Sequence, residues 1–207
     1  MSDAAVVHIV DDDDSLRRAL ANLFGSVGLG ARTYGSAQEF LGNFDDLAPG
    51  CIVLDVRLPG KNGIALHEQM AGLGIHLPVI MITGHGDIPM SVRAMKAGAL
   101  DFLPKPFRDQ DLLDAVDRAI QRDLERRATE KSASELRALF ASLSERERQV
   151  MMGVTSGKMN KQVAGDLHIS EVTVKIYRAH AMQKMGAKTL PDLVRMAEQV
   201  KAADAKR

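Results

Sequence analysis

The stretch HIVDDDDSLRRAL, residues 8–20, places four consecutive aspartates directly behind a short apolar run. Two carboxylates about 4 Å apart repel each other by about 4 kcal/mol at an effective dielectric constant of about 20, so such a cluster needs a cation or the positive end of a helix beside it. We expect Asp11 and Asp12 to end a strand and to bind a metal ion. Asp13 is expected to lie in solvent at the border of that site, and Asp14 to cap the helix that follows.

Further side chains with useful chemistry stand where the chain leaves an apolar run. Asp55 ends CIVLD, Thr83 ends PVIMIT, and Lys105 follows shortly after ALDFL. A divalent cation such as Mg²⁺ prefers oxygen ligands, and together with a lysine and a hydroxyl it can neutralise a phosphoryl group on a central aspartate. Carboxylates do accept phosphoryl groups. The pattern therefore indicates phosphoryl chemistry on Asp55, provided that the fold brings these groups together.

Five short runs, most of them apolar and several rich in β-branched residues, predict the strands that must position these groups: residues 6–10, 31–34, 51–55, 78–83 and 99–103. A helical spacing of apolar residues follows each run. Five such units predict a parallel sheet with helices on both faces. Ligands bind beyond the carboxyl ends of the strands in such a sheet, so three carboxylates, a hydroxyl and an ammonium group should converge at one edge.

In this order and at these intervals, the motifs VDDD, LDVRLPG, ITGHGD and KPF resemble the receiver domain of bacterial two-component response regulators, over about residues 4–122. The resemblance implies a flavodoxin-like, doubly wound α/β domain with a five-stranded parallel sheet. It also implies that a cognate sensor histidine kinase phosphorylates Asp55 and that the site binds Mg²⁺, which Mn²⁺ or Ca²⁺ can replace.

The same resemblance assigns a role to each residue of the site. The Mg²⁺ ligands that it implies are the side chains of Asp11, Asp12 and Asp55 and the backbone carbonyl of Arg57. Thr83 and Lys105 would contact the phosphoryl oxygens, and Phe102 would be the aromatic switch partner of Thr83. The bond between Lys105 and Pro106 would be cis, a form that only X-Pro bonds adopt readily.

The formal net charge of zero hides an uneven distribution. Residues 1–122 contain 16 acidic and 11 basic side chains, whereas residues 123–207 contain 11 acidic and 16 basic ones, which indicates two modules with different partners. The sequence from Leu143 to Met185 resembles the LuxR-type helix-turn-helix DNA-binding domain, an all-α domain of four helices. Together with GHGDIPM, it indicates the FixJ branch of the FixJ/NarL regulators.

Residues 171–185 are the predicted recognition helix of this module, capped by Ser170. Val174 is expected to face inward. Ile176 should face outward, where an apolar side chain can contact thymine methyl groups in a major groove. For Arg178, near the inward border, an ion pair with an acid is an alternative to DNA contact. The predicted DNA-binding residues, of which the basic ones are candidates for phosphate contacts, are Lys161, Val172, Thr173, Lys175, Ile176, Arg178 and Ala179.

The predicted domains are residues 1–122 for the receiver, 123–140 for a helical linker and 141–207 for the DNA-binding domain. Apolar residues recur every four positions from Leu112, and neither proline nor glycine occurs between residues 109 and 140. This pattern predicts one long helix. Two helices with a joint at residues 129–134 are the alternative.

These features predict a DNA-binding transcriptional regulator rather than an enzyme. Phosphorylation would create a homodimer through a face at about residues 88–103, and the dimer would bind roughly palindromic promoter DNA. RNA polymerase is a candidate further partner. Two other functions stay open: a constitutive DNA-binding or scaffold protein whose receiver only docks a partner, and a stand-alone phosphohydrolase.

The sequence also argues against several other classes of protein. Four aspartates would repel the pyrophosphate of a dinucleotide, and the six histidines lack the paired spacing of a zinc site. No signal peptide or membrane span is evident, and the lone Cys51 does not indicate an oxidising compartment. We therefore expect a cytoplasmic protein without a membrane partner.

Overall fold

The computed structural model describes residues 5–84 and 88–204. The chain divides into two compact units, Met1–Arg127 and Ala128–Arg207. The first contains a sheet with helices, whereas the second contains helices in its described residues.

The first unit is built on a sheet of five parallel strands, which confirms the predicted architecture. In chain order the strands are β1 Val6–Val10, β2 Gly30–Tyr34, β3 Gly50–Asp55, β4 Val79–Thr83 and β5 Asp101–Pro104. Their order across the sheet is β2-β1-β3-β4-β5. The direction of winding therefore reverses between β1 and β3, and in an open sheet the ligand crevice lies at the carboxyl ends of the strands at that point.

Helices cover both faces of this sheet: α1 Asp14–Ser26, α2 Ala37–Asn43, α3 Gly63–Gly72, α4 Ile88–Lys96 and the start of α5 at Asp109. Alternate residues of a strand point to opposite faces. Accordingly, Leu54 of β3 packs in one hydrophobic cluster with Phe40 of α2, while Val53 packs in another with Phe24 of α1. The central strands are buried on both sides, which explains their continuous apolar sequence.

The start of α1 corrects one expectation about the four aspartates. Asp13, not Asp14, is the N-cap, because its extended backbone lets Oδ1 accept hydrogen bonds from the amides of Ser15 and Leu16 at 2.9 and 3.2 Å. Asp14 is the first helical residue, and its carboxylate pairs with Arg17. Both acids lie at the positive end of the helix dipole, which offsets their negative charge as expected, although the cap is one residue earlier.

Helix α5 is continuous from Asp109 to Ala141, 33 residues in all, as the main prediction stated. The alternative joint at residues 129–134 is helical throughout. In its first part Leu112, Val116 and Ile120 are buried against the sheet, and near its end Leu136 and Phe140 pack against the core of the second unit.

A buried ion-pair network anchors α5 beyond the predicted receiver boundary at residue 122. The carboxylate of Asp123 is fully buried and lies 2.7 Å from both Arg126 and Arg127, and it also accepts a hydrogen bond from the amide of Gly50. The Arg127 guanidinium reaches Asp46 in the loop between α2 and β3. These contacts place the end of the first compact unit at Arg127.

The second unit contains the end of α5 and four further helices: α6 Glu145–Thr155, α7 Asn160–Leu167, α8 Glu171–Met185 and α9 Leu190–Asp204. Val150, Val174 and Leu193 form the centre of its core. Ser144 and Glu147 make both hydrogen bonds of a capping box at the start of α6. Throughout the described part of the chain, every helix is too short or too polar to cross a membrane.

Candidate functional sites

Three carboxylates meet at the ends of β1 and β3. Oxygen atoms of Asp11, Asp12 and Asp55 all lie within 4.8 Å of one another. β1 and β3 pair in parallel with Val10 opposite Leu54, so the acid that follows each of these residues reaches the same height at the sheet edge. Asp11 and Asp55 are buried, whereas Asp12 is exposed. The predicted convergence of these three residues is therefore present in the fold.

Lys105 supplies positive charge to this cluster. Its Nζ lies 2.7 Å from Asp11 Oδ2 and 3.1 Å from Asp55 Oδ1. Its amide donates a 2.7 Å hydrogen bond to the carbonyl of Thr83, which extends the pairing of β4 with β5 and holds the lysine at the edge. The Lys105–Pro106 bond is cis, as the sequence motif implied.

The electrostatics of the cluster favour an additional cation. Burial raises the pKa of the Asp55 carboxyl, the hydrogen bond from Lys105 opposes this shift, and the charge of Asp11 adds to it. For Lys105, burial acts to lower the pKa, but its hydrogen bonds to Asp11 and Asp55 outweigh burial, and the pKa is raised. One lysine thus stays charged among three acids, an environment in which a hard divalent cation binds favourably.

Backbone amides fix the two buried carboxylates. The amide of Asp13 donates to Asp11 Oδ1 at 2.9 Å, and the amide of Arg57 donates to Asp55 Oδ2 at 3.0 Å. These bonds leave each carboxylate with acceptor capacity on the side of the cluster. They also place the peptide of Arg57 beside Asp55, although a role for its carbonyl as a metal ligand stays a prediction.

Thr83 and Phe102, the predicted switch residues, point to the same face of the sheet. Phe102 pairs in register with Met81, and Thr83 lies two residues beyond Met81 on β4. Thr83 is fully buried, and its hydroxyl donates to the sulfur of Met90 in the first turn of α4 at 4.0 Å. Phe102 is half-buried against the cluster that contains Met81. The motif residues 85–87 lie outside the described part of the chain.

Two residues that sequence reasoning missed also shape the site. A Cβ on Gly63 would lie 2.2 Å from the carbonyl oxygen of Asp55, so only glycine lets α3 begin this close to the end of β3. Arg17 donates a 2.6 Å hydrogen bond to the carbonyl of Asp11. Gly63, in the sequence KNG of residues 61–63, is a turn signal that the sequence shows. Its close approach to the carbonyl oxygen of Asp55 follows only from the fold.

The exposed face of α8 is the second candidate site. Val174 is fully buried, as predicted, whereas Val172 and Ile176 are 65% and 50% exposed. Lys175 and Ala179 are also exposed on this helix. Two apolar side chains in solvent beside a lysine form a surface suited to a DNA major groove, where methyl groups and phosphates lie side by side.

The remaining predicted DNA-binding residues occupy the start of α7 and the inward border of α8. Lys161 is exposed in the first turn of α7. The Thr173 hydroxyl shares a 2.8 Å hydrogen bond with Ser170, which caps α8 through the Thr173 amide. Arg178 lies 3.5 Å from the side-chain oxygen of Asn160. We expected an acid as the alternative partner of Arg178. The observed partner is the uncharged amide of Asn160, so the positive charge of Arg178 is not neutralised by this contact.

A buried acid ties α8 to α6. Glu147 of α6 accepts a 2.7 Å hydrogen bond from Lys184 near the end of α8 and another from the amide of Ser144. These bonds lower the pKa of the Glu147 carboxyl. Lys184 is therefore held in an ion pair with Glu147 although its side chain is partly exposed.

Comparison with known proteins relates both units of the chain to known families. Residues 7–117 match the family described as the response regulator receiver domain, and residues 141–197 match the bacterial regulatory proteins of the luxR family. The chain is 55% identical to nodulation protein W of Bradyrhizobium diazoefficiens over 197 residues, 95% of this chain and 87% of that protein. It is 47% identical to the transcriptional regulatory protein FixJ of Azorhizobium caulinodans, over 95% of this chain and 93% of that one.

Among solved structures, that of the response regulator StyR has a TM-score of 0.86 and 47% sequence identity, and it covers 95% of this chain and 99% of its own. These similarities extend over both units of the chain. The protein therefore belongs to the two-component response regulators of the FixJ/NarL type, transcriptional regulators that join a receiver domain to a LuxR-type helix-turn-helix DNA-binding domain.

Proposed function

We propose that Asp55 is the residue through which a cognate sensor histidine kinase controls this regulator. One oxygen of the Asp55 carboxylate would attack the phosphorus of a phosphohistidine, the P–N bond would break, and the imidazole nitrogen would keep the electron pair and take up a proton. The observation that carries the proposal is the position of Asp55, buried beside Lys105 and within 4.8 Å of two further acids. Lys105 would offset the negative charge of the transferred group.

The acidic cluster fits Mg²⁺ by its chemistry. Asp11, Asp12 and Asp55 offer carboxylate oxygens, the ligand type that hard cations prefer, and Mg²⁺ commonly keeps one or two protein carboxylates together with water and phosphate oxygens. The carbonyl of Arg57 is a further candidate ligand. When bound, Mg²⁺ would neutralise charge on the phosphoryl oxygens. Mn²⁺ or Ca²⁺ would be substitutes because they share the preference for oxygen.

Phosphorylation would then change α4 and β5 through Thr83 and Phe102. Thr83 bonds to Met90, so a phosphoryl group that recruits the Thr83 hydroxyl would break a contact with α4. Val92 and Met95 of α4 are 45% and 49% exposed, which gives this face apolar area for pairing with a second copy. We infer a C2 homodimer through residues 88–103.

The dimer would place two α8 helices on promoter DNA with approximate two-fold symmetry. Val172, Ile176 and Ala179 would contact base edges. Thr173, at the start of the helix, would lie near the DNA backbone. Phosphates would be contacted by three basic residues, Lys161, Lys175 and Arg178. RNA polymerase is a candidate partner once the dimer is bound. As functional domains we propose residues 1–122 for the receiver, 123–140 for the linker, of which the part up to Arg127 packs with the first compact unit, and 141–207 for DNA binding.

Labelling with radioactive acetyl phosphate tests the phosphoacceptor directly. Wild-type protein should be labelled only when Mg²⁺ is present, and Asp55→Asn should remove the label. Asp117→Asn, which changes an exposed acid on α5, is the control and should label normally. An Asp55→Asn protein that is labelled as strongly as wild type would refute the assignment.

Beryllofluoride, a stable mimic of the phosphoryl group, separates regulation from constitutive binding. We expect it to increase dimer formation in analytical ultracentrifugation and promoter occupancy in footprinting, and Met95→Glu should block both gains. Leu73→Glu, at the similarly exposed residue that caps the end of α3, should not. Unchanged promoter binding with beryllofluoride would instead favour a receiver that only docks a partner.

A further inference from the structure

The first compact unit contains a cavity at the amino-terminal ends of β4 and β5, the opposite end of the strands from Asp55. Its volume is about 440 Å³, which lies in the range of small-molecule sites. The ends of α3 and α4 and the middle of α5 enclose it. Met70, Leu77, Val79 and Leu100 contribute an apolar wall.

His67 of α3 lies on this cavity with unsatisfied hydrogen-bonding capacity. Both ring nitrogens are buried, and neither has a hydrogen-bond partner in the described residues. Burial lowers the pKa of His67, while backbone groups of Gly98 and Ala97 act in the opposite direction without reaching hydrogen-bond geometry. The neutral imidazole therefore presents one donor and one acceptor, and a buried polar group without a partner is unfavourable unless something else satisfies it.

Basic side chains and an acidic side chain also line the cavity. The basic side chains are those of Arg122 and Arg126 of α5 and of His76, and the acidic side chain in the lining is that of Glu68. Arg126 is paired with Asp123. Arg122 is exposed and has no ion pair with any residue that the structure describes. An available guanidinium beside an apolar wall is suited to a carboxylate, which it can bind through two parallel hydrogen bonds.

We propose that this cavity binds a small organic carboxylate with a compact apolar body. Arg122 would hold the carboxylate at the mouth, and the apolar wall would cover the body. His67 would donate to or accept from a polar group of the ligand inside the cavity. The site is separate from the acidic cluster, so the proposal does not depend on phosphorylation of Asp55. A free phosphate would satisfy Arg122 but would leave the apolar wall uncovered.

Titration of the ¹⁵N-labelled full-length chain, followed by NMR, tests the proposal. The probes are benzoate, phenylacetate and isovalerate, their uncharged amides, and inorganic phosphate. We expect saturable shifts of amides in residues 67–79 and 97–100 with at least one carboxylate, and weaker binding of the matched amide. Arg122→Gln should weaken carboxylate binding about tenfold, since it removes hydrogen bonds to a charged group. Arg118→Gln, which removes the same charge one turn earlier on α5 and does not line the cavity, should bind as wild type does.

His67→Phe provides a second readout that does not depend on charge. Phenylalanine keeps the ring shape and removes the two unsatisfied nitrogens, so this variant should keep or raise the thermal midpoint of the free protein while weakening carboxylate binding. The proposal is overturned if no carboxylate gives saturable shifts, which would mean a cavity filled by water only. It is equally overturned if Arg118→Gln weakens binding as much as Arg122→Gln, or if phosphate and the carboxylates bind alike.

Discussion

Lys105 Nζ lies 2.7 Å from Asp11 Oδ2, closer than to either oxygen of the proposed phosphoacceptor. The ammonium group is thus hydrogen-bonded to a carboxylate oxygen that a divalent cation would also use as a ligand. It neutralises the cluster, yet it competes with the metal for the same ligand. These two roles affect different measurements, so they can be separated.

Replacing Lys105 with methionine should strengthen metal binding and weaken phosphorylation. Without the ammonium group, two buried carboxylates repel each other, so Mg²⁺ should raise the thermal midpoint of this variant more than that of wild type. Labelling by acetyl phosphate should become about a hundredfold slower, because one charged donor to the phosphoryl oxygens is lost. Lys96→Met, at an exposed position of α4, is the control. A smaller effect of Mg²⁺ on Lys105→Met than on wild type would contradict the competition.

Asp55→Asn should stabilise the protein at neutral pH in the presence of a chelator. The pKa of Asp55 in the folded state lies above its usual value of 3.8, so the protonated form favours folding. That contribution is fully present below pH 3.8 and is lost as the pH rises through the raised pKa. The uncharged asparagine avoids the loss, and its advantage should shrink as the pH falls from neutral through the raised pKa of Asp55.

Thermal midpoints across this pH range measure the effect, with Asp111→Asn as the control of opposite sign. The Arg108 hydrogen bond lowers the pKa of Asp111, so that carboxyl stabilises the fold when charged, and its replacement should slightly lower the midpoint at neutral pH. A lower midpoint for Asp55→Asn than for wild type at pH 7 would mean that the Lys105 ion pair outweighs the burial of Asp55.

Asp123→Asn should destabilise the first unit by about 3 kcal/mol, the usual cost of removing one partner of a buried ion pair. The change leaves Arg126 and Arg127 without their shared counter-charge. The chain has two tyrosines and no tryptophan, so a Tyr177→Phe background lets Tyr34 fluorescence report urea unfolding of the first unit alone. Asp117→Asn, exposed on the same helix, should cost little. An effect of Asp123→Asn no larger than that of Asp117→Asn would show that solvent screens the network.

The parts of this protein that the sequence predicts are those set by local pattern. Strand ends follow from short apolar runs, and parallel strands bring their carboxyl ends to one edge, which is why the cluster of Asp11, Asp55 and Lys105 was predictable. The Asp13 cap depends on one residue's backbone conformation and was misplaced by one position. The contact of Arg127 with Asp46 joins residues 81 positions apart, and no local pattern indicates it.

The recognition helix offers a test that separates base contacts from phosphate contacts. Ile176 is half-exposed and apolar, so Ile176→Ala should weaken binding to a target promoter by about 1 kcal/mol while leaving binding to random DNA unchanged. Lys175→Ala should weaken binding to both, and it should reduce the slope of log affinity against log salt by about two, because the dimer loses one phosphate contact in each of its two subunits. Fluorescence anisotropy with fragments from a genome-wide binding experiment, at several salt concentrations, measures both quantities. Lys201→Ala, an exposed lysine on α9, should leave the slope unchanged. If Ile176→Ala weakened target and random DNA equally, the side chain would support the fold of α8 rather than contact bases.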